Sequence, residues 1–178
     1  MLTLGHISAS YLLAQTSLLL GTPLSNQEQI FVMAAGYVLD LDLLFARIFV
    51  KREAYHHLLP THTPLFAVTI SILGYLLFRN IFSNQAILLA VCALFLHLVL
   101  DDIGYWFYKL GWQRISTIPQ IFWLYPFDKR RKHFVNSWQN STTQTNAETL
   151  ELYLTKAPVN VILEVILGLA ALTIVLTR

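Results

Sequence analysis

Five apolar stretches separated by shorter polar ones organise the chain. The first, about Leu2 to Leu20, is diluted by His6, Ser8, Ser10, Gln15 and Thr16. The second follows Pro23, opens with Ser25 and Glu28 at capping-box spacing, and continues to about Val50. The third runs from Pro64 to Arg79, the fourth from Ser83 to about Trp106, and the fifth from Ala157 to Thr177. Several come near the roughly 20 apolar residues that a bilayer requires. Lipid offers a bare backbone no partner, so each stretch predicts a helix. The expected fold is all-α: a polytopic membrane bundle of about five transmembrane helices, forming a single domain over residues 1–178.

The long polar region falls between the fourth and fifth stretches, at about 105–156. Gly104 to Phe127 mixes Trp106, Phe107, Tyr108, Trp112, Phe122, Trp123 and Tyr125 with Lys109 and Arg114. That mixture predicts an interfacial segment at headgroup depth. Asn136 to Asn146 is mostly Ser, Thr, Asn and Gln and reads as a solvated loop. Thr145 and Glu148 repeat the capping-box spacing before a short helix towards Leu154.

Composition sharpens the class. Hydrophobic residues make up 56% of the 178 positions and charged residues only 12%, against about 25% charged in soluble domains. Mean hydropathy is +0.56. A water-soluble globule, a disordered chain, a coiled coil and a disulfide scaffold are all excluded. The net charge of +2 is too small for a nucleic-acid binder. The single cysteine, Cys92, lies in an apolar run and reads as a packing residue. No basic segment precedes the first apolar stretch, so it reads as a retained helix and not as a secretory signal.

Charge also sets an orientation. With five spans, Arg47, Lys51 and Arg52 follow the second, while Lys109, Arg114, Lys129, Arg130, Arg131, Lys132 and Lys156 follow the fourth. Both groups share a side with the N-terminus, and the opposite side holds only Arg79 and Arg178. The positive-inside rule predicts a multi-pass protein of the inner (plasma) membrane with a cytoplasmic N-terminus and cytoplasmic polar loop.

Ionisable residues inside apolar stretches carry the chemistry, because burying them costs a few kcal/mol or more. His6, Asp40, Asp42, His57, His62, His97 and Asp101 form such a set. At roughly 1.5 Å per residue, Asp40 and His97 each lie about 21 Å along their helices and Asp101 about 27 Å. The first and third helices run the other way and carry His6 and His62 at their starts. Four helices thus deliver His and Asp to one level near the cytoplasmic face. Glu164, in the fifth stretch, is a further intramembrane acid.

Spacing refines the set. His97 and Asp101 are four apart and share a helix face. Asp40 and Asp42 are two apart and point to nearly opposite sides of an ideal helix. Either the helix loosens there, or one Asp is a ligand while the other orients a histidine. Pro60 and Pro64 disfavour helix at Leu59 and Thr63, so His57 and His62 sit on a loop able to turn both rings inward.

Nitrogen and oxygen donors without thiolate suit a divalent metal, Zn²⁺ first, with Mn²⁺ or Fe²⁺ as alternatives. Seven candidates exceed the needs of one tetrahedral ion. Two ions about 3.5–4 Å apart, as in many phosphoester hydrolases, would use them all. In such sites an Asp accepts the proton of the attacking water, a role open to Asp40 or Asp42.

The ordered motifs Gly5-His6, Asp40-Leu41-Asp42, His57 through Thr61-His62-Thr63, and His97 to Asp101 resemble those of the YdjM-type predicted membrane-bound metal-dependent hydrolases. Leu124-Tyr125-Pro126-Phe127 is similar to a downstream Trp-Pro element of that family. The resemblance implies an all-helical fold and metal binding by these positions. More remotely, it implies kinship with zinc-dependent phospholipase C enzymes and hence a phosphoester substrate. Two departures stand out: Leu39 where the family usually has Pro, and Leu58-Leu59 where it usually has Arg-Gly. An arginine there would hold a phosphate, a role that passes to Arg47 or Arg52.

The expectation is therefore a membrane-embedded metal-dependent hydrolase of a phosphoester or phospholipid, with the lipid bilayer as its setting. His6, Asp40, His57, His62, His97 and Asp101 would bind metal, Asp40 and Asp42 would serve catalysis, and Arg47 and Arg52 would bind substrate. The alternatives are a metal ion or proton transporter, or a non-catalytic membrane protein with a structural metal. Donors gathered near one face speak against the transporter, whose sites lie near the midplane.

Overall fold

The computed structural model describes residues 3–42, 60–111, 121, 123, 124, 127 and 158–177. These form five α-helices: α1 (Thr3–Leu19), α2 (Asn26–Tyr37), α3 (Pro64–Phe78), α4 (Asn84–Lys109) and α5 (Pro158–Leu176). Two short 3₁₀ turns, Val38–Leu41 and Pro60–His62, complete them. No strand occurs among the described residues.

Local chemistry explains the helix ends. Gly21, at φ +70°, closes α1 with the left-handed residue that glycine adopts without strain. The capping box at the start of α2 is complete: Ser25 N–H donates to Glu28 Oε2 at 2.9 Å, and Glu28 N–H donates to Ser25 Oγ at 3.3 Å. The other oxygen of Glu28 accepts Ser83 N–H at 3.0 Å, so α2 and α4 begin side by side and run parallel. Thr63 and Ser83 cap α3 and α4 by accepting Phe66 N–H and Ala86 N–H. Pro64 occupies the first turn of α3, where its missing N–H costs nothing.

Helix α4 is the central element, packed most extensively on α2 and also on α1, α3 and α5. Small residues allow this closeness. One apolar cluster joins Ala14, Val32, Ala86, Ala90 and Ala93; a second joins Leu39, Ala67, Leu94, Leu98 and Ile121. The outer faces stay apolar and exposed, as with Leu73, Leu76 and Leu77 of α3 or Ile162, Ile166 and Leu169 of α5. On a soluble protein such patches would drive association; against lipid they cost nothing. Cys92, read from the sequence as a packing residue, is on this exposed surface of α4. A thiol on a lipid-facing helix needs no cover.

Among the described residues two helices, α4 and α5, are long and apolar enough to cross a membrane, and α3 is a shorter apolar helix. The second stretch departs from the single helix expected to run to about Val50. Its α-helix stops at Tyr37 after 12 residues and tightens into the 3₁₀ turn Val38–Leu41. Residues 43–50 lie outside the described residues, as does the capping pattern at Thr145 and Glu148.

Candidate metal centre

The 3₁₀ turn after α2 answers the question posed by Asp40 and Asp42. Residues two apart diverge by about 160° on an α-helix but only about 120° at three residues per turn. The tightened turn buries both carboxyl groups. The turn Pro60–His62, followed by extended Thr63, swings the buried His62 towards them before α3 begins. His6 comes from the first turns of α1, and His97 and Asp101 from the middle of α4. Four elements of the chain thus converge, and none of the six side chains belongs to a residue more than 5% exposed.

Two carboxylates meet three imidazoles. His97 Nε2 lies 3.5 Å from Asp40 Oδ1 and 3.2 Å from Asp101 Oδ2. His62 Nε2 lies 3.7 Å from the same Asp40 oxygen and 3.8 Å from the same Asp101 oxygen. His6 Nε2 approaches the other Asp101 oxygen at 3.0 Å, and its ring stacks on His97 with centroids 3.8 Å apart. One donor atom each from His62, His97 and Asp101 lies within 4.8 Å of the others, and the same holds for His6, Asp40 and His97.

The far side of two rings fixes where their lone pairs point. His97 Nδ1 is 2.7 Å from the Gly36 carbonyl, which can only accept, so Nδ1 carries the proton. His62 Nδ1 is 2.9 Å from Asp42 Oδ2, which also accepts a hydrogen bond from Thr61 Oγ1. In the neutral rings both Nε2 lone pairs therefore face carboxylate oxygens. Lone pair against carboxylate is repulsive in a buried site, and either a proton on Nε2 or a metal ion between the groups removes the conflict. Burial works against charge on His62, in its turn between helices, but Asp40 and Asp42 outweigh it and push its pKa up to about 9, so a metal ion bound there would displace a proton from His62 Nε2.

The dimensions fit a metal ion. Metal–ligand bonds of about 2.0–2.2 Å place tetrahedral donors about 3.4 Å apart. The four Nε2–carboxylate separations, 3.2 to 3.8 Å, bracket that edge length. The donor set is two imidazoles and two carboxylates with a third imidazole adjoining, a mixture suited to Zn²⁺, Mn²⁺ or Fe²⁺. Asp42 and Gly36 supply hydrogen bonds to the Nδ1 side of His62 and His97, of the kind that orients histidines at metal sites.

Of the residues singled out from sequence, His6, Asp40, Asp42, His62, His97 and Asp101 come together here. His57, Arg47 and Arg52 lie outside the described residues. Glu164 is half-buried on α5. Two buried polar residues escaped the sequence reading. Asp102 accepts Ile121 N–H at 3.2 Å and Trp123 Nε1–H at 2.8 Å, tying the aromatic segment to α4. Its signal was available, as a second acid beside Asp101 in an apolar helix. Asn160 of α5 packs on Gly104, where an added Cβ would stand 3.0 Å from its amide. Nothing in a lone asparagine announces that contact.

The fold and site together define an all-helical protein with lipid-type outer faces and a buried His/Asp cluster able to hold a metal ion. The chain belongs to the YdjM inner membrane protein family, whose model matches residues 1–178. Comparison with curated proteins and with solved structures found no match.

Proposed function

We propose that the chain is a membrane-embedded metal-dependent hydrolase acting on a phosphoester, a phospholipid or other lipid phosphate, at the cytoplasmic interface. The observation that carries this reading is the convergence of His62 Nε2 and His97 Nε2, their Nδ1 atoms held by Asp42 and Gly36, on oxygens of Asp40 and Asp101 at 3.2 to 3.8 Å. His62, His97, Asp40 and Asp101 are the ligands of one ion, Zn²⁺ by donor type. Asp101 turns its second oxygen to His6, so a second ion would draw on that oxygen, His6 and His57. When bound, the metal supplies Lewis acidity towards water and phosphate oxygens. Asp42 holds His62 in the tautomer that presents Nε2, and Asp40 is the carboxylate placed to accept a proton. Arg47 and Arg52, five and ten residues beyond Asp42, are the candidates for holding the phosphate.

One observation favours a second reading. His62, His97, Asp40 and Asp101 all lie within 3.2 to 3.8 Å of one another across the His–Asp pairs, and an ion that bound all four would keep no position for water, the arrangement of a structural ion. Under that reading the chain is a non-catalytic membrane protein held together by its metal.

Metal content of detergent-purified protein, wild type beside His97→Ala, tests both. One or two ions per chain in the wild type, lost in a variant that still inserts and elutes normally, support the centre. Absence of metal after reconstitution with zinc or manganese overturns it. Turnover in a phosphoester screen by the loaded protein then selects the hydrolase over the structural ion.

A further inference from the structure

Asp101 and Asp102 are neighbours on α4 and point about 100° apart around it. Asp101 faces His6 and His97, while Asp102 faces the start of the aromatic segment. Both are buried, and a buried carboxylate is expensive unless donors meet it. For Asp102 one short piece of chain brings a donor to each oxygen. Ile121 N–H reaches Oδ1 at 3.2 Å, and Trp123 Nε1–H reaches Oδ2 at 2.8 Å.

That piece of chain has an inner and an outer side. Ile121 is buried and shares an apolar cluster with Leu39, Ala67, Leu94 and Leu98. Leu39 directly precedes Asp40, and Leu98 directly follows His97. Asp40 and His97 thus each adjoin a residue of the cluster that Ile121 completes, and Asp101 adjoins the residue that Ile121 and Trp123 hold. The outer side turns to the surface, where Leu124 and Phe127 are 66% and 87% exposed. Binding constellations need their side chains held to within about 0.5 Å. A turn of α4 that drew Asp102 away from its donors would carry Asp101 with it, because neighbours on one helix move together.

We propose that Asp102 is a positioning residue of the His/Asp centre, coupling the seating of Ile121 and Trp123 on α4 to the grip of Asp101, Asp40 and His97 on a metal ion. The proposal rests on the metal-binding part of the reading above and is independent of turnover. Coupling of two equilibria is reciprocal. The seated segment tightens metal binding, and bound metal holds the segment seated by the same factor.

The test uses the full-length protein in detergent, labelled with 5-fluorotryptophan, with zinc as the probe. The fluorine resonance missing from Trp123→Phe belongs to Trp123. In the wild type it shifts as zinc binds, and in His97→Ala it does not. Trp123→Phe keeps an aromatic ring but no donor. It weakens zinc binding about 3–10-fold in competition with a chromophoric chelator, less than the about 10–100-fold lost with a direct partner of a ligand. Asp102→Asn weakens it similarly, and the double variant loses less than the product of the two, since both remove one bond. Trp123→Phe stands alone where Asp102→Asn does not fold. Leu124→Ala, on the outer side, leaves zinc affinity unchanged.

Wild-type affinity in both Trp123→Phe and Asp102→Asn overturns the proposal, as does a Trp123 resonance blind to zinc. A loss in Leu124→Ala equal to that in Trp123→Phe assigns the effect to general loosening and overturns it too. The two readings fail distinguishably. A wild type that binds no zinc ends the metal reading and the coupling together, whereas zinc bound equally by every variant but His97→Ala ends the coupling alone.

Discussion

In the proposed metal centre Asp42 would act without touching the ion. Its Oδ2 accepts from His62 Nδ1 and from Thr61 Oγ1, which leaves His62 Nε2 directed at Asp40 and Asp101. Removing such an outer partner costs metal sites about 10–100-fold in affinity. Asp42→Ala is therefore expected to lose affinity in that range and keep its helical circular dichroism, as measured by competition with a chromophoric chelator. Asp42→Asn, which still accepts one hydrogen bond, should lose less. Equal affinity in Asp42→Ala and wild type would show that His62 needs no such support. At this scale the candidate site was legible because ionisable residues in an apolar run are expensive enough to stand out. The different partners of Asp40 and Asp42 were not, since they depend on a local change of helix pitch. Asp102 and Asn160 were missed for a related reason. Each is explained by a neighbour on another element, Trp123 in one case and Gly104 in the other.

Helix pairs, the next scale up, are set by what the crossing leaves out. At Gly36 a Cβ would fall 1.8 Å from Ser10 Oγ and 2.8 Å from Ser10 Cβ, so α1 and α2 touch through the absence of a side chain. Ser10 Oγ is meanwhile committed to the His6 carbonyl at 2.8 Å, one turn back, and the Gly36 carbonyl to His97. Gly36→Ala must push the helices apart at the point where both position residues of the His/Asp cluster. Overpacking of this kind costs about 1–3 kcal/mol. The expected outcome is an earlier midpoint in detergent-to-SDS unfolding together with weaker metal retention. Ser10→Gly in the same chain should restore much of both, which a general loss of folding would not allow. Helix ends were legible from caps: Ser25 with Glu28 and Pro64 all act where their spacing places them. The stop of α2 at Tyr37 had no such sign. Leu39 and Leu41 continue the apolar run, and apolar periodicity does not distinguish an α-turn from a 3₁₀ turn.

For the molecule as a whole the open matter is which side of the membrane the centre faces, because that decides which phosphates can reach it. Asn160, near the start of α5, packs on Gly104, towards the end of α4 and three residues beyond Asp101, so α5 begins at the end of α4 that carries the His/Asp cluster. Both are long and apolar enough to cross. If both do, the stretch joining them returns on the side of the centre, while Asn84 and Thr177 emerge on the other. That stretch carries Lys129, Arg130, Arg131 and Lys132, and basic residues near span ends stay cytoplasmic. His6 lies in the first turns of α1 at the same level, so in that orientation the N-terminus would lie on that side too. A reporter fused after Arg178 should therefore be active only in the form that requires export. One inserted between Lys129 and Lys156 should be active only in the cytoplasmic form. The reverse pattern would turn the centre outward, and the substrate would have to be a lipid phosphate of the outer leaflet. The same pair of fusions in a chain with Lys129 to Lys132 changed to Gln tests the cause. If those four charges set the orientation, their loss yields mixed reporter activity, whereas an unchanged pattern would assign it to α1 and α2.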